Sequence, residues 1–195
     1  MFEKYLPNEY QKSSSSWSRL RRSLLIDEMT QLDSKDLTCR NCVGNCCTFE
    51  SNSMRITPLE AIEMLIFLEE ENRLNSNLIT KLNNCIKDFR LDKETFFGIK
   101  KNYTCPFYLG ACQGCSISRG SKPYGCLAFN ATEKNVIVGK NCHSNQLLLE
   151  NRELNFPEEN EINQKIINIL GLTWTKESIP VALLDIIKKG EQGSP

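Results

Sequence analysis

Apolar residues recur every three or four positions through much of the chain, with polar residues between them. This spacing predicts helices over residues 17–32, 58–72 and 75–89, each with one apolar face. The second begins at Thr57-Pro58-Leu59-Glu60, where a threonine cap, a first-turn proline and a glutamate form a capping box. We therefore expect a helical scaffold in this part of the chain.

Helical spacing returns in the C-terminal third of the chain. One helix is expected over residues 144–154, and a second begins at Pro157 and stops at Gly171. The last begins near Thr175 and ends near Gly190. These helices would cover one side of the domain.

Glycine-punctuated sequence without helical spacing fills residues 105–142, where Val136-Ile137-Val138 predicts a short strand. The expected fold class is mainly α with irregular cysteine-rich loops and a few short strands, the helices packing around a metal-binding loop region. We expect a single domain over residues 17–190. Its metal-binding region spans 39–142, and its C-terminal helices span 144–190.

The N-terminal residues 1–16 are polar and end in four serines, which predicts a flexible arm. The helix after it carries Arg19, Arg21 and Arg22. Arginines on a helix could contact an anionic partner, but they more often form a solvated face, and we expect the solvated face.

Composition and charge narrow the class of protein. The 195 residues include 24 Lys+Arg and 24 Asp+Glu, so the net charge is zero and nucleic acid is not an expected partner. The N-terminus lacks the basic and apolar parts of a secretory signal, and the apolar runs are too short for a membrane helix. We expect a cytoplasmic protein with reduced thiols; five disulfides in an exported protein are the alternative.

Four of the ten cysteines lie close together in the first cysteine loop, Cys39-x2-Cys42-x3-Cys46-Cys47. Packing does not need so many thiols at such short spacing, whereas one metal ion or cluster does. Because Cys46 and Cys47 are adjacent, we expect that one of them serves a second metal or another iron of a cluster.

A second cysteine loop contains Cys105-Pro106, Cys112, Cys115, Cys126 and Cys142. With so little histidine, the two loops predict an all-sulfur site, which suits zinc or an Fe–S cluster and excludes Mg²⁺ and Ca²⁺.

Two further residues are weighed as ligands and set aside. Cys85 lies beside the apolar stripe of a predicted helix, so we interpret it as a buried thiol outside the site. His143, the only histidine, is kept as a reserve ligand next to Cys142.

The order of these features resembles the YkgJ-type cysteine-cluster family, whose members are described as zinc- or iron-chelating domains. The shared order is C-x2-C-x3-C-C, a helical hairpin, C-P-F, C-x-I, a Lys-Pro turn and a further Cys, over about residues 39–142. The resemblance implies that the metal ligands are eight cysteines. They are Cys39, Cys42, Cys46, Cys47, Cys105, Cys115, Cys126 and Cys142.

The chain departs from the family pattern in the second loop. Ser118, Lys122-Pro123 and Leu127 stand where the family usually has Tyr, Arg-Pro and Arg, so a function that uses those arginines is not implied. Cys112 is an extra thiol and a candidate substitute ligand. Which of Cys46, Cys47, Cys112 and Cys142 bind metal stays open.

Three functions remain as hypotheses. The first is a metal-binding protein with an Fe–S centre, [4Fe–4S] before zinc, used in electron transfer, sensing or metal handling. The second is a cluster-dependent modification enzyme, since flagellin lysine methylases look similar in their cysteine cluster. Against it, a radical-initiating C-x3-C-x2-C would need cysteine where Phe49 stands. The third is a zinc-stabilised module whose C-terminal helices bind a protein partner.

Overall fold

The computed structural model of the chain describes residues 1–11, 14–37, 45–93, 101–110, 114–131, 133 and 142–192. These residues are mainly helical with a few short strands, which confirms the expected fold class. Cys39, Cys42, Cys112 and the strand predicted at 136–138 lie outside the described residues. No helix within these ranges is both long and apolar enough to cross a membrane.

In the described ranges, one 3-10 turn at Phe2–Tyr5 precedes the first helix, and another at Asn45–Cys47 precedes the first strand. The helices are α1 (Asn8–Gln11), α2 (Ser14–Ser34), α3 (Pro58–Glu70), α4 (Ser76–Asp88), α5 (Tyr124–Leu127), α6 (Gln146–Asn155), α7 (Glu159–Leu170) and α8 (Ile179–Gln192). The strands form two antiparallel pairs, β1 with β4 and β2 with β3. They are β1 (Arg55–Ile56), β2 (Phe129–Ala131), β3 (Cys142–Ser144) and β4 (Glu177–Ser178).

Helix α3 runs through the core and packs against α7 and α8. Its predicted capping box is confirmed: Thr57 Oγ1 accepts a hydrogen bond from Glu60 N at 3.3 Å, and Glu60 Oε2 accepts one from Thr57 N at 2.9 Å. Every residue of α3 from Pro58 to Ile66 is buried. Most of them are apolar, and the two glutamates among them, Glu60 and Glu63, have polar partners.

The other predicted helix ends are close to those observed. Asn75 caps α4 through a 3.1 Å hydrogen bond from Leu78 N, and Gly171 ends α7 in the left-handed conformation with φ of 58°. The last helix begins at Ile179 rather than near Thr175, because residues 177–178 pair with β1 instead.

The N-terminal segment differs from the predicted flexible arm over residues 1–11. Phe2, Tyr5 and Leu6 are buried in the main core, and the 3-10 turn Phe2–Tyr5 packs against α3 and α7. Three apolar side chains in this polar stretch pack against helices that lie far along the chain. The local composition does not indicate these contacts.

The arginines of α2 also differ from the expectation of a solvated face. Arg19 is exposed, but Arg21 and Arg22 are buried. Arg22 Nη1 donates to Glu63 Oε2 at 2.6 Å, Arg21 pairs with the same carboxylate, and Arg21 Nε lies 3.2 Å from Glu159 Oε1. Helix α2 contacts both α3 and α6, so these arginines face protein and pair with carboxylates there.

Candidate metal centre

The two cysteine loops are joined by backbone hydrogen bonds. Cys105 N donates to Cys47 O at 2.7 Å, and Tyr103 N donates to Asn52 O at 2.9 Å. Asn52 returns a side-chain bond from Nδ2 to Tyr103 O at 2.9 Å. The thiol of Cys105 is thereby placed beside those that end the first loop.

A tight hairpin brings Cys115 back toward Cys105. Tyr108 and Cys115 form an antiparallel bridge, and Leu109 N donates to Gly114 O at 2.9 Å. Gly110 and Gly114 have φ of 102° and 70°, a region that side-chain-bearing residues rarely adopt. The two glycines thus permit the reversal that places both cysteines on one side.

Arg73 holds the end of this hairpin, a role that no cysteine motif indicates. Its guanidinium donates to Ser116 O at 2.6 Å and to Ser116 Oγ at 2.7 Å. Next to it, the backbone N of Ile117 lies 3.5 Å from Cys115 Sγ and donates to it. Amide–sulfur bonds of this type orient cysteine ligands and tune a metal bound to them.

Glu60 helps to position Cys126 through a hydrogen bond to the helix that carries this cysteine. One carboxylate oxygen of Glu60 closes the capping box of α3, and the other accepts a hydrogen bond from Tyr124 N at 2.8 Å. Tyr124 is the first residue of α5, the short helix that carries Cys126. A single buried carboxylate therefore connects the start of the core helix with the helix that bears this thiol.

Five cysteines line one cavity of about 640 Å³. They come from both loops: Cys46, Cys47, Cys105, Cys115 and Cys126. The sulfur atoms of Cys46 and Cys47 lie 3.9 Å apart. Cysteines of the two loops, which the sequence analysis assigned to one site, thus line the same cavity.

The other described candidates are not among the side chains that line the cavity. Cys142 is on β3, opposite Ala131 of β2, and it is not among the side chains that line the cavity. His143, the reserve ligand, is exposed on the same strand. Cys85 is buried in α4, as expected, and its thiol donates to Thr104 O at 3.4 Å.

Three thiols of the cavity, those of Cys46, Cys105 and Cys126, are held in their neutral form. Burial raises the pKa of Cys105 to about 12 and raises the pKa of Cys126 well above its usual value. The pKa of Cys46 is raised first by its hydrogen bond with Cys47 and then by burial. Metal binding would release the protons of these thiols. The free energy of metal binding would then also stabilise the folded chain.

The donor set fits a thiophilic metal. Two thiolates on one tetrahedral zinc, each at ~2.3 Å from the ion, are ~3.8 Å apart, close to the Cys46–Cys47 distance. This spacing is compatible with both adjacent cysteines on one ion, and which of the two binds metal stays a prediction. Over the described ranges, no set of three or more His, Cys, Asp or Glu residues has the arrangement of a formed metal site.

The described cysteines are all thiols: Cys46, Cys47, Cys85, Cys105, Cys115, Cys126 and Cys142 form no disulfide. Comparisons of the chain with protein-family models, curated proteins and solved structures give no match. The resemblance to the YkgJ-type family therefore stays a prediction from the order of the motifs.

Proposed function

We propose that this chain is a metal-binding protein with an all-cysteine centre, an Fe–S cluster of the [4Fe–4S] type, with zinc as the alternative. The observation that carries the proposal is the meeting of five thiols from two distant loops in one cavity. Thiols at this density are the ligands of Fe–S clusters and of zinc.

Cys46, Cys47, Cys105, Cys115 and Cys126 are the residues that would hold the metal. Cys39 and Cys42 of the same first loop are further candidate ligands that lie outside the described residues. A bound Fe–S cluster supplies one-electron redox chemistry, suited to electron transfer or sensing, whereas zinc supplies a crosslink between the loops. Either centre requires reduced thiols, so we also propose a cytoplasmic location.

The second candidate function is a cluster-dependent modification enzyme, and the size of the cavity favours it. A volume of about 640 Å³ exceeds the need of one ion and lies within the usual range for small-molecule sites. Side chains that are not metal ligands, among them Asn130 and Gln146, line the same cavity. Such groups could orient a substrate beside the sulfur atoms.

The test is elemental analysis with an absorption spectrum on protein purified without oxygen. Iron with acid-labile sulfide and a broad visible band is the expected result. Zinc in a colourless protein, at about one ion per four thiolates, would replace the cluster with the structural centre. A metal-free protein that takes up neither iron with sulfide nor zinc would overturn the proposal.

A further inference from the structure

Lys122 belongs to the second cysteine loop and lies two residues before α5. Its half-buried side chain lines the cavity together with the five thiols. One cation and thiols from both loops therefore share a single cavity.

The backbone of Lys122 is held in place by buried groups of α2. Arg22 Nε donates to Lys122 O at 2.6 Å, and Ser18 Oγ donates to Gly120 O at 2.7 Å. Lys122 N closes the turn by donating to Ser118 O at 2.9 Å. Arg22 is fully buried, so this anchor has little freedom to move.

The charge of Lys122 has no carboxylate to balance it in the described part of the chain, where none lies within ion-pair distance. Arg119 provides a contrast, since it lines the same cavity but pairs with Asp33 at 2.5 Å. Lys122 therefore brings to the cavity a half-buried cation that no described carboxylate balances.

We propose that Lys122 is the charge-compensating residue of the cysteine centre, fixed beside the thiolates by Arg22 and Ser18. This inference rests on the proposed metal-binding function. Four thiolates around one Zn²⁺ carry two negative charges in excess, and a nearby ammonium group offsets part of that charge. The same ammonium favours the reduced state of an Fe–S cluster, because reduction adds a further negative charge.

The test compares metal affinity by chelator competition in the full-length wild type, Lys122→Met and Lys122→Arg. We expect Lys122→Met to bind the metal about tenfold more weakly, as a lost charge interaction at a partly buried site predicts. Lys122→Arg keeps the charge and should stay close to wild type. If the metal is iron, the midpoint potential of Lys122→Met should fall by ~59 mV, a tenfold change in a one-electron equilibrium.

Lys81→Met is the matched control, because Lys81 is exposed on α4 and does not line the cavity. It should leave both the affinity and the potential unchanged. Equal affinities in wild type and Lys122→Met would overturn this inference while the metal-binding function stands. A wild type that binds neither zinc nor iron with sulfide would overturn both together.

Discussion

At the scale of single residues, buried charges connect helices that are distant in sequence. Glu63 of α3 is buried and accepts from Arg22 of α2 at 2.6 Å, while Arg21 pairs with its other oxygen. Removing one member of a buried pair leaves the other uncompensated and is strongly destabilising, whatever the net value of the intact pair. These residues therefore fix how α2 lies on the core.

Arg22→Met should lower the free energy of unfolding by about 2–3 kcal/mol, because it removes a charge-assisted hydrogen bond to Glu63 from a dry site while Arg21 still pairs with that carboxylate. Arg19→Met, an exposed change on the same helix, should stay within about 0.5 kcal/mol. Urea denaturation of the two variants measures the difference. Equal losses of unfolding free energy in the two variants would show that the buried Arg22–Glu63 pair contributes no more to stability than an exposed arginine.

The sequence identified these arginines but not their surroundings. Helical spacing placed them on α2 correctly, since that pattern is local. Their burial depends on Glu63 and Glu159, which lie more than forty and more than a hundred residues away. A pattern within one helix holds no information on such partners.

At the scale of secondary-structure elements, Glu60 couples the starts of two helices. It completes the capping box of α3 and accepts the first backbone N–H of α5 at 2.8 Å. The second bond is buried, so its loss leaves an amide without a partner where water cannot replace it. The position of Cys126 depends on this contact through α5.

Glu60→Ala should destabilise the protein by about 2–4 kcal/mol, the sum of a lost cap and an unpaired buried amide. Thr57→Ala is the matched change that removes only the threonine side of the capping box, and it should cost about 1 kcal/mol. Thermal and urea unfolding of the two variants give the comparison. A loss in Glu60→Ala no larger than in Thr57→Ala would contradict the coupling of α3 to α5.

The helix boundaries were predictable where caps lie within a few residues of the helix, as at Thr57, Asn75 and Gly171. The start of α8 was not, because residues 177–178 pair with β1 more than a hundred residues earlier. The burial of Phe2 was not predictable for the same reason, since α3 and α7 form its surroundings. Contacts of long sequence separation decided each of these differences.

At the scale of the whole molecule, Tyr124 lies where α2, α5, α6 and α7 meet. Its hydroxyl donates to Glu159 Oε1 at 2.8 Å, and the Arg152 guanidinium lies 3.5 Å from its ring centre. Burial raises the pKa of Tyr124 to about 12, whereas a tyrosine in an unfolded chain ionises near pH ~10. High pH therefore favours the unfolded chain, in which the phenol can ionise.

The contribution of Tyr124 to stability should be complete below pH ~10 and be lost as the pH rises toward 12, by on the order of 2–3 kcal/mol. Tyr124→Phe cannot ionise, so its stability should fall less steeply over this range. Urea unfolding at a series of pH values from 8 upward measures both slopes. Parallel slopes for wild type and Tyr124→Phe would contradict this origin of alkaline instability.

The candidate site was predictable in its donors but not in its assembly. Two loops rich in cysteine indicated a metal, and the cavity brings five of those thiols together. The groups that support them are Arg73 at Ser116 and Glu60 at Tyr124. Arg73 lies in the turn between α3 and α4 and belongs to no motif, and the capping box that contains Glu60 does not indicate its second contact, with α5. Only the packed chain reveals them.

The most direct test of the central claim is the metal content of Cys105→Ser compared with Cys85→Ser. Both cysteines are buried, but Cys105 lines the cavity and Cys85 does not, so the pair separates metal binding from loss of a buried thiol. We predict that Cys85→Ser keeps the wild-type metal content per chain and that Cys105→Ser loses most of it. Full metal content in Cys105→Ser would contradict a centre built from these two loops.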